Sequence, residues 1–267
     1  MTETKTIEDF YAQLASDYNT FTEPKKRWSR EIDIFRSLVQ RYNITSAIDA
    51  GCGTGFHSLV LSQLGVNVIA ADVSQEMLRI AENHAKQYKI SITFIKSSFQ
   101  QLSQTISTRV DAVCCLGNSF PHCLTEKEQQ HALQNFISLL KPNGVLILHL
   151  LNYDRILAKN ERVQNVKKLN GKIFVRFYDF LSSTVRFNVL ILKKNAGKII
   201  SSLSSVELYP IKKKEIHSLL SDSSTSSGEK FSEIQFYGGL SLENYSESAS
   251  KDLVVIAQKQ RAIENVL

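Results

Sequence analysis

Residues 48–58, IDAGCGTGFHS, place three glycines within five positions directly behind an apolar run. Glycine tolerates positive φ and has no side chain to hold a ligand away from the main-chain amides. Gly51, Gly53 and Gly55 therefore predict close approach of a ligand to this turn. A P-loop is excluded, because no Gly-Lys-Ser/Thr closes the stretch. The dinucleotide pattern fits poorly as well: it asks for a small residue three places after the second glycine, and Phe56 stands there after Gly53.

Working outward, SAIDAG reads as a short buried strand running into the turn, and residues 56–64 as the helix leaving it. VNVIAAD, ISITFIK, RVDAVCCLG and GVLILHLLN are four further strands. Between them, Ser74 caps a helix with Met77, Leu78, Ala81 and Ala85 on its apolar face. Thr125 and Glu128 form a capping box opening a helix with Leu133, Phe136, Ile137 and Leu140 inward, and KPNG is expected to end it. Strands alternating with amphipathic helices imply a mostly parallel sheet covered on both faces, an α/β doubly wound fold of the Rossmann-like kind.

The flanks differ. Residues 1–42 read as two helices, the second carrying Trp28, Ile32, Phe35, Leu38 and Val39 on one face, and the first forming either a docked helix or a lid. Residues 43–164 form the core. Residues 165–210 read as an antiparallel β insertion of three strands, KIFVRFYDFL, TVRFNVLILKKN and KIISSLSSVELYP, turning at Ser182-Ser183 and at 195–197. Residues 211–267 supply a helix, the serine-rich and expectedly mobile SDSSTSSGEK, and two closing strands of the core, FSEIQFYGG and KDLVVIAQK, one of them antiparallel at the sheet's end. Seven strands in all are expected in the main sheet.

The 267 residues are 43% hydrophobic and 22% charged with a net charge of +6, a globular composition that excludes global disorder. The basic excess is dispersed in short groups, so nucleic acid is the lesser alternative partner. Cys52, Cys114, Cys115 and Cys123 lack zinc-ligand spacing, and no metal site is expected. The apolar runs are too short to span a bilayer as helices. No secretory run opens the chain, so a reduced, cytoplasmic protein is expected.

In such a sheet ligands bind beyond the carboxyl ends of the strands. Asp72 closes the second strand, where an ionised, acceptor-only carboxylate suits two ribose hydroxyls. With the glycine turn it implies an adenosine-bearing ligand, NAD and S-adenosylmethionine both remaining open on these two features.

IDAGCGTG, Asp72, VDAVCCLGNSF and the terminal antiparallel strand together resemble the class I S-adenosylmethionine-dependent methyltransferases. The order GNSFPH after strand four, NYDRIL after strand five and then an antiparallel insertion is similar to glycine N-methyltransferase and its glycine/sarcosine relatives. The resemblance implies S-adenosyl-L-methionine as cofactor. Gly51, Gly53, Gly55 and Ala50 would line its amino-acid part, and Val73 and Met77 its adenine edge. Ser98, with Phe99, stands where many relatives place an acidic adenine acceptor. Leu116 and Asn118 would face the transferable methyl group, Arg27 the cofactor carboxylate, and Tyr18, with Tyr11 a weaker candidate, the lid over it.

His122 and His149, followed by His57, are candidate bases, and Tyr153, Arg155 and Tyr178 candidate acceptor contacts. One departure is informative: the relatives carry an arginine just before NYD to hold the substrate carboxylate, and here Leu151 stands in its place. The expected function is methyl transfer to a small-molecule acceptor at N or O, with glycine disfavoured. RNA or protein methylation and noncatalytic cofactor binding are the alternatives.

Overall fold

The computed structural model describes residues 6–195, 197–224 and 228–260. Helix α1 (Ile7–Thr22) starts at Thr6, whose side chain accepts the Asp9 amide at 3.1 Å. It ends at Glu23, in the left-handed region at φ 51°, and Pro24 opens α2 (Pro24–Arg41), where a missing amide costs nothing. Strands β1 (Ser46–Ala50), β2 (Asn67–Asp72), β3 (Thr93–Lys96), β4 (Val110–Cys115) and β5 (Leu140–Leu151) follow. They alternate with α3 (Phe56–Gln63), α4 (Gln75–Tyr88), α5 (Leu102–Thr105) and α6 (Glu126–Leu139). After α7 (Tyr153–Ala158) come β6 (Val163–Leu169), β7 (Lys172–Phe180), β8 (Val185–Asn195) and β9 (Lys198–Leu208), then α8 (Lys213–Asp222), β10 (Phe231–Tyr237) and β11 (Asp252–Lys259).

The main sheet has seven strands in the order β10-β11-β5-β4-β1-β2-β3. β1 to β5 run parallel, and β11 lies antiparallel between β5 and β10. Its two faces are covered separately, as the near-continuous apolar strands require. Phe35 and Leu38 of α2 pack with Val60 and Leu61 of α3 on one face. Leu133, Phe136 and Ile137 of α6 pack with Ile216 and Leu220 of α8 on the other. The caps of α4 and α6 are as expected: Ser74 accepts the Met77 amide, and Thr125 and Glu128 close a capping box. Among the described residues no helix is long and apolar enough to cross a membrane.

Two elements differ from expectation. KPNG does not separate helix from strand: α6 ends at Leu139, Leu140 already pairs with Val110, and the ladder shifts register before resuming at Val145 opposite Ala112. The four turn-forming residues are thus an irregularity inside β5, with one β4 pairing before it and four after it. The insertion has four strands, in the order β6-β7-β8-β9, because Val163–Leu169 pairs antiparallel with β7. Asn170 (φ 52°) and Gly171 (φ 73°) join them, the two positive φ angles of a tight hairpin that Asn-Gly favours. The turn at 195–197 and the serine-rich stretch each include positions outside the described residues, 196 and 225–227.

α1 packs on the insertion. Its Phe10, Leu14 and Phe21 share a buried cluster with Phe174, Val189 and Val206 of β7, β8 and β9. Asp17 and Glu23 fix that seam by accepting from Lys172 (2.6 Å) and Lys167 (2.5 Å).

Candidate functional site

The glycine turn lies at the carboxyl end of β1. Its Gly51 and Cys52 amides donate to the Ala71 carbonyl at 2.8 and 3.0 Å, tying the turn to β2. The Gly53 amide donates to one Asp72 carboxylate oxygen (2.8 Å), and the Ser74 amide to the other (2.9 Å). Burial pushes the Asp72 carboxyl up to about 6, and these amides restrain the shift. The three glycines divide the work. A side chain at Gly53 would meet nothing, so open space lies above that backbone, whereas one at Gly55 would come within 2.9 Å of the Ala81 Cβ. Gly55 therefore lets α4 approach the turn.

A cavity of about 150 Å³ lies over the turn. Gly51, Gly53, Asp72, Val73, Ser98 and Phe99 line it, as a cofactor site would require. Ala50, Gly55, Met77 and Leu116 line neither this cavity nor the larger one. Ala50 and Met77 are fully buried and Leu116 nearly so, and Met77 turns inward on the apolar face of α4.

The larger cavity, about 370 Å³, is lined by α1, α2, the insertion, the segment 239–243 and the ends of β4, β5 and β11. Tyr11, Tyr18 and His122 line both spaces, so the two meet beneath α1. His122 Nε2 lies 2.8 Å from the Tyr11 hydroxyl. Its Nδ1 is buried without a hydrogen-bond partner, and burial pushes the imidazole down to about 4. His149, also lining the larger cavity, sets Nε2 3.5 Å from Asp252 Oδ2, and its Nδ1 is likewise buried and unpartnered.

Asn118, in the left-handed region at φ 66°, also lines the larger cavity, yet its amide is engaged. Nδ2 donates to the Tyr153 hydroxyl (2.9 Å) and Oδ1 accepts the Leu151 amide (3.0 Å). It braces the end of β4 against the end of β5. Arg27 is engaged as well: its Nε donates to Glu31 Oε1 at 2.7 Å, and His57 lies 3.0 Å from Glu31 Oε2. Burial works to raise the Glu31 carboxyl, but the His57 and Arg27 contacts outweigh it and hold the group at about 2. Tyr178 and Leu151 line the larger cavity. Tyr153 and Arg155 do not, Arg155 being paired with Glu161 at 2.9 Å.

The sequence pointed to Tyr178 on the insertion but not to Gln164 and Arg176, which line the same cavity. A period-2 pattern marks a strand without saying what its inward face meets. The four cysteines are free and buried, and burial raises their thiols, that of Cys123 to about 12.

Residues 47–144 match a methyltransferase-domain family. The chain is similar to the glycine/sarcosine N-methyltransferase of Halorhodospira halochloris, 35% identical over 150 residues that make up 56% of each protein. Its similarity to that of Aphanothece halophytica is 39% over 131 residues, 49% of each. The chain thus spans about half the length of the curated relatives it matches. An S-adenosylmethionine-dependent methyltransferase from Clostridium acetobutylicum superposes with a TM-score of 0.76 at 16% identity, over 93% of this chain and 98% of that one, a likeness of fold.

Proposed function

We propose that this chain, which has the class I S-adenosylmethionine-dependent methyltransferase fold, transfers the methyl group of S-adenosylmethionine to a small-molecule acceptor. The observation that carries this is the buried Asp72 carboxylate beside an open glycine turn, in a cavity that joins a second, larger one under α1. The residues fit the cofactor. Asp72 would accept the ribose hydroxyls, Gly51 and Gly53 would admit the methionyl portion to the backbone, and Val73, Phe99 and Ser98 would hold the adenine.

When bound, S-adenosylmethionine supplies a methyl group already activated on a sulfonium. The chain's task is to hold an acceptor lone pair in line with it and to keep water away. The junction of the two cavities serves that purpose, since Phe10, Leu14 and Phe21 of α1 wall the larger cavity with apolar surface. An acceptor nitrogen or oxygen taking that methyl would shed a proton, which the chain has to receive on a base. His122 is one candidate, a weak base while burial holds it at about 4. It is neutral at pH 7, and in the tautomer whose Nε2–H donates to Tyr11 its Nδ1 lone pair is free. His149, which lines the larger cavity, is the second candidate, and Asn118 acts as a positioning residue.

The acceptor is larger than glycine. The apolar Leu151 faces the cavity, whose volume suits a drug-sized ligand rather than a two-carbon amino acid. Incubation with methyl-labelled S-adenosylmethionine and separated small-molecule, protein and RNA fractions tests the proposal. Label is expected in the small-molecule fraction. Label in RNA or protein instead, or binding of S-adenosylmethionine with no S-adenosylhomocysteine formed from any fraction, overturns it.

A further inference from the structure

Three arginines line the larger cavity: Arg27, Arg30 and Arg176. The first two share the buried Glu31 carboxylate, at 2.7 and 3.6 Å. Arg176 has no carboxylate within ion-pair distance among the described residues. It sits on β7, and its Nε donates to Asn165 Oδ1 across the β6–β7 ladder at 3.0 Å. That bond fixes the guanidinium plane while its two Nη amines have no hydrogen-bond partner among the described residues. The Phe21 ring lies 5.6 Å from its Cζ. Burial lowers its pKa, with Arg27 adding to the effect, so its charge is poorly solvated and uncompensated by an anion.

The neighbouring position carries a second unsatisfied group. The β6–β7 register shifts between Val163 and Asn165, so Gln164 occupies a bulge, a device that re-aims a side chain. Gln164 lines the same cavity, and its Oε1 is buried without a partner. One wall of the cavity thus presents a forked cation and a bare carbonyl acceptor side by side. Leu151, on the sheet side, presents neither.

We infer that Arg176, with Gln164 beside it, is the anchor for a carboxylate on the methyl acceptor, so that this chain acts on small carboxylate-bearing acceptors held by the insertion wall rather than by the end of β5. The guanidinium fork meets the two carboxylate oxygens in a bidentate pair, and Gln164 Oε1 accepts an N–H or O–H carried near that carboxylate. Glu31, Glu243 and Asp252 line the same cavity, so both signs of charge face it and an acceptor carrying a basic group as well as an acid suits it. The inference rests on the methyl-transfer reading for the word acceptor, but the anion site itself does not.

Butyrate and its uncharged isostere butyramide are the probes, titrated calorimetrically with and without saturating S-adenosylhomocysteine. The native chain is expected to bind butyrate at least tenfold more tightly than butyramide. Arg176→Gln should abolish that preference and leave S-adenosylhomocysteine affinity within twofold, and Arg176→Lys should restore part of it. Gln164→Glu, which supplies an internal carboxylate to a guanidinium kept in place, should also remove butyrate binding in a folded protein. Equal binding of the two probes by the native chain, or an undiminished butyrate preference in Arg176→Gln, overturns the inference. A parallel loss of S-adenosylhomocysteine affinity in that variant also overturns it, by assigning the arginine to the cofactor. Arg176-dependent butyrate binding by a chain that does not bind S-adenosylhomocysteine would sustain the anion site and defeat the methyl-transfer reading.

Discussion

With Asp72 as the proposed ribose acceptor, its surroundings set the direction in which cofactor binding would follow pH. Burial raises its carboxyl from an ordinary 3.8 to about 6, and the ionised form is the one that accepts hydroxyl donors. Affinity for S-adenosylhomocysteine should therefore be flat between pH 8 and 7 and about tenfold weaker at pH 5, and calorimetry of Asp72→Asn should show weak binding with no such dependence. Stability of the free chain moves the other way. A carboxyl whose folded value is raised contributes stability that is present below 3.8 and lost as pH rises through about 6. Asn118 makes a structural prediction. Asn118→Ala leaves the buried Tyr153 hydroxyl and the Leu151 amide unpaired, so it should cost about 1–3 kcal/mol in thermal unfolding as well as slowing transfer. Asp72 was legible because its function follows from a position at a strand end. The commitment of Asn118 was not, because its partners lie on other elements and only folding brings them within reach.

At the level of elements, α1 and the insertion behave as one clamp. Phe174 of β7 is fully buried, and its ring lies 5.6 Å from that of Phe21 in α1. Phe174→Ala should cost about 3–5 kcal/mol at that seam. Hydrogen exchange should quicken in α1, β7 and β8 while β1 and β4 stay protected, because the cluster is separate from those of the main sheet. Equal acceleration throughout the sheet would show that the clamp and core unfold together. That α1 forms a helix is legible in the sequence, as are three of the four insertion strands, and α1 then sets Phe10, Leu14 and Phe21 along one stripe. What the stripe touches is not legible, since α1 residues meet strands that begin more than 140 positions later. The fourth strand was announced by Asn170-Gly171, a turn signal that lies between two stretches of weak alternation.

For the whole molecule, periodicity and capping located the alternating core because each strand and helix is stabilised by its own pattern. The cavities are products of assembly: their walls come from α1, α2, the ends of the core strands and the insertion, and no local pattern records that meeting. The order of assembly has a consequence of its own. β5, whose inner residues are almost wholly apolar and buried, receives its neighbour from 252–259, while the strand made just before, β10, pairs with β11 and not with β5. Lys259, itself buried, then stakes that neighbour to the carbonyls of Ile137 and Leu140 where α6 gives way to β5. While a ribosome is still extending the chain, β5 is an open, sticky rail, and the nascent protein stays vulnerable to pairing with strangers until residues 252–259 have left the exit tunnel.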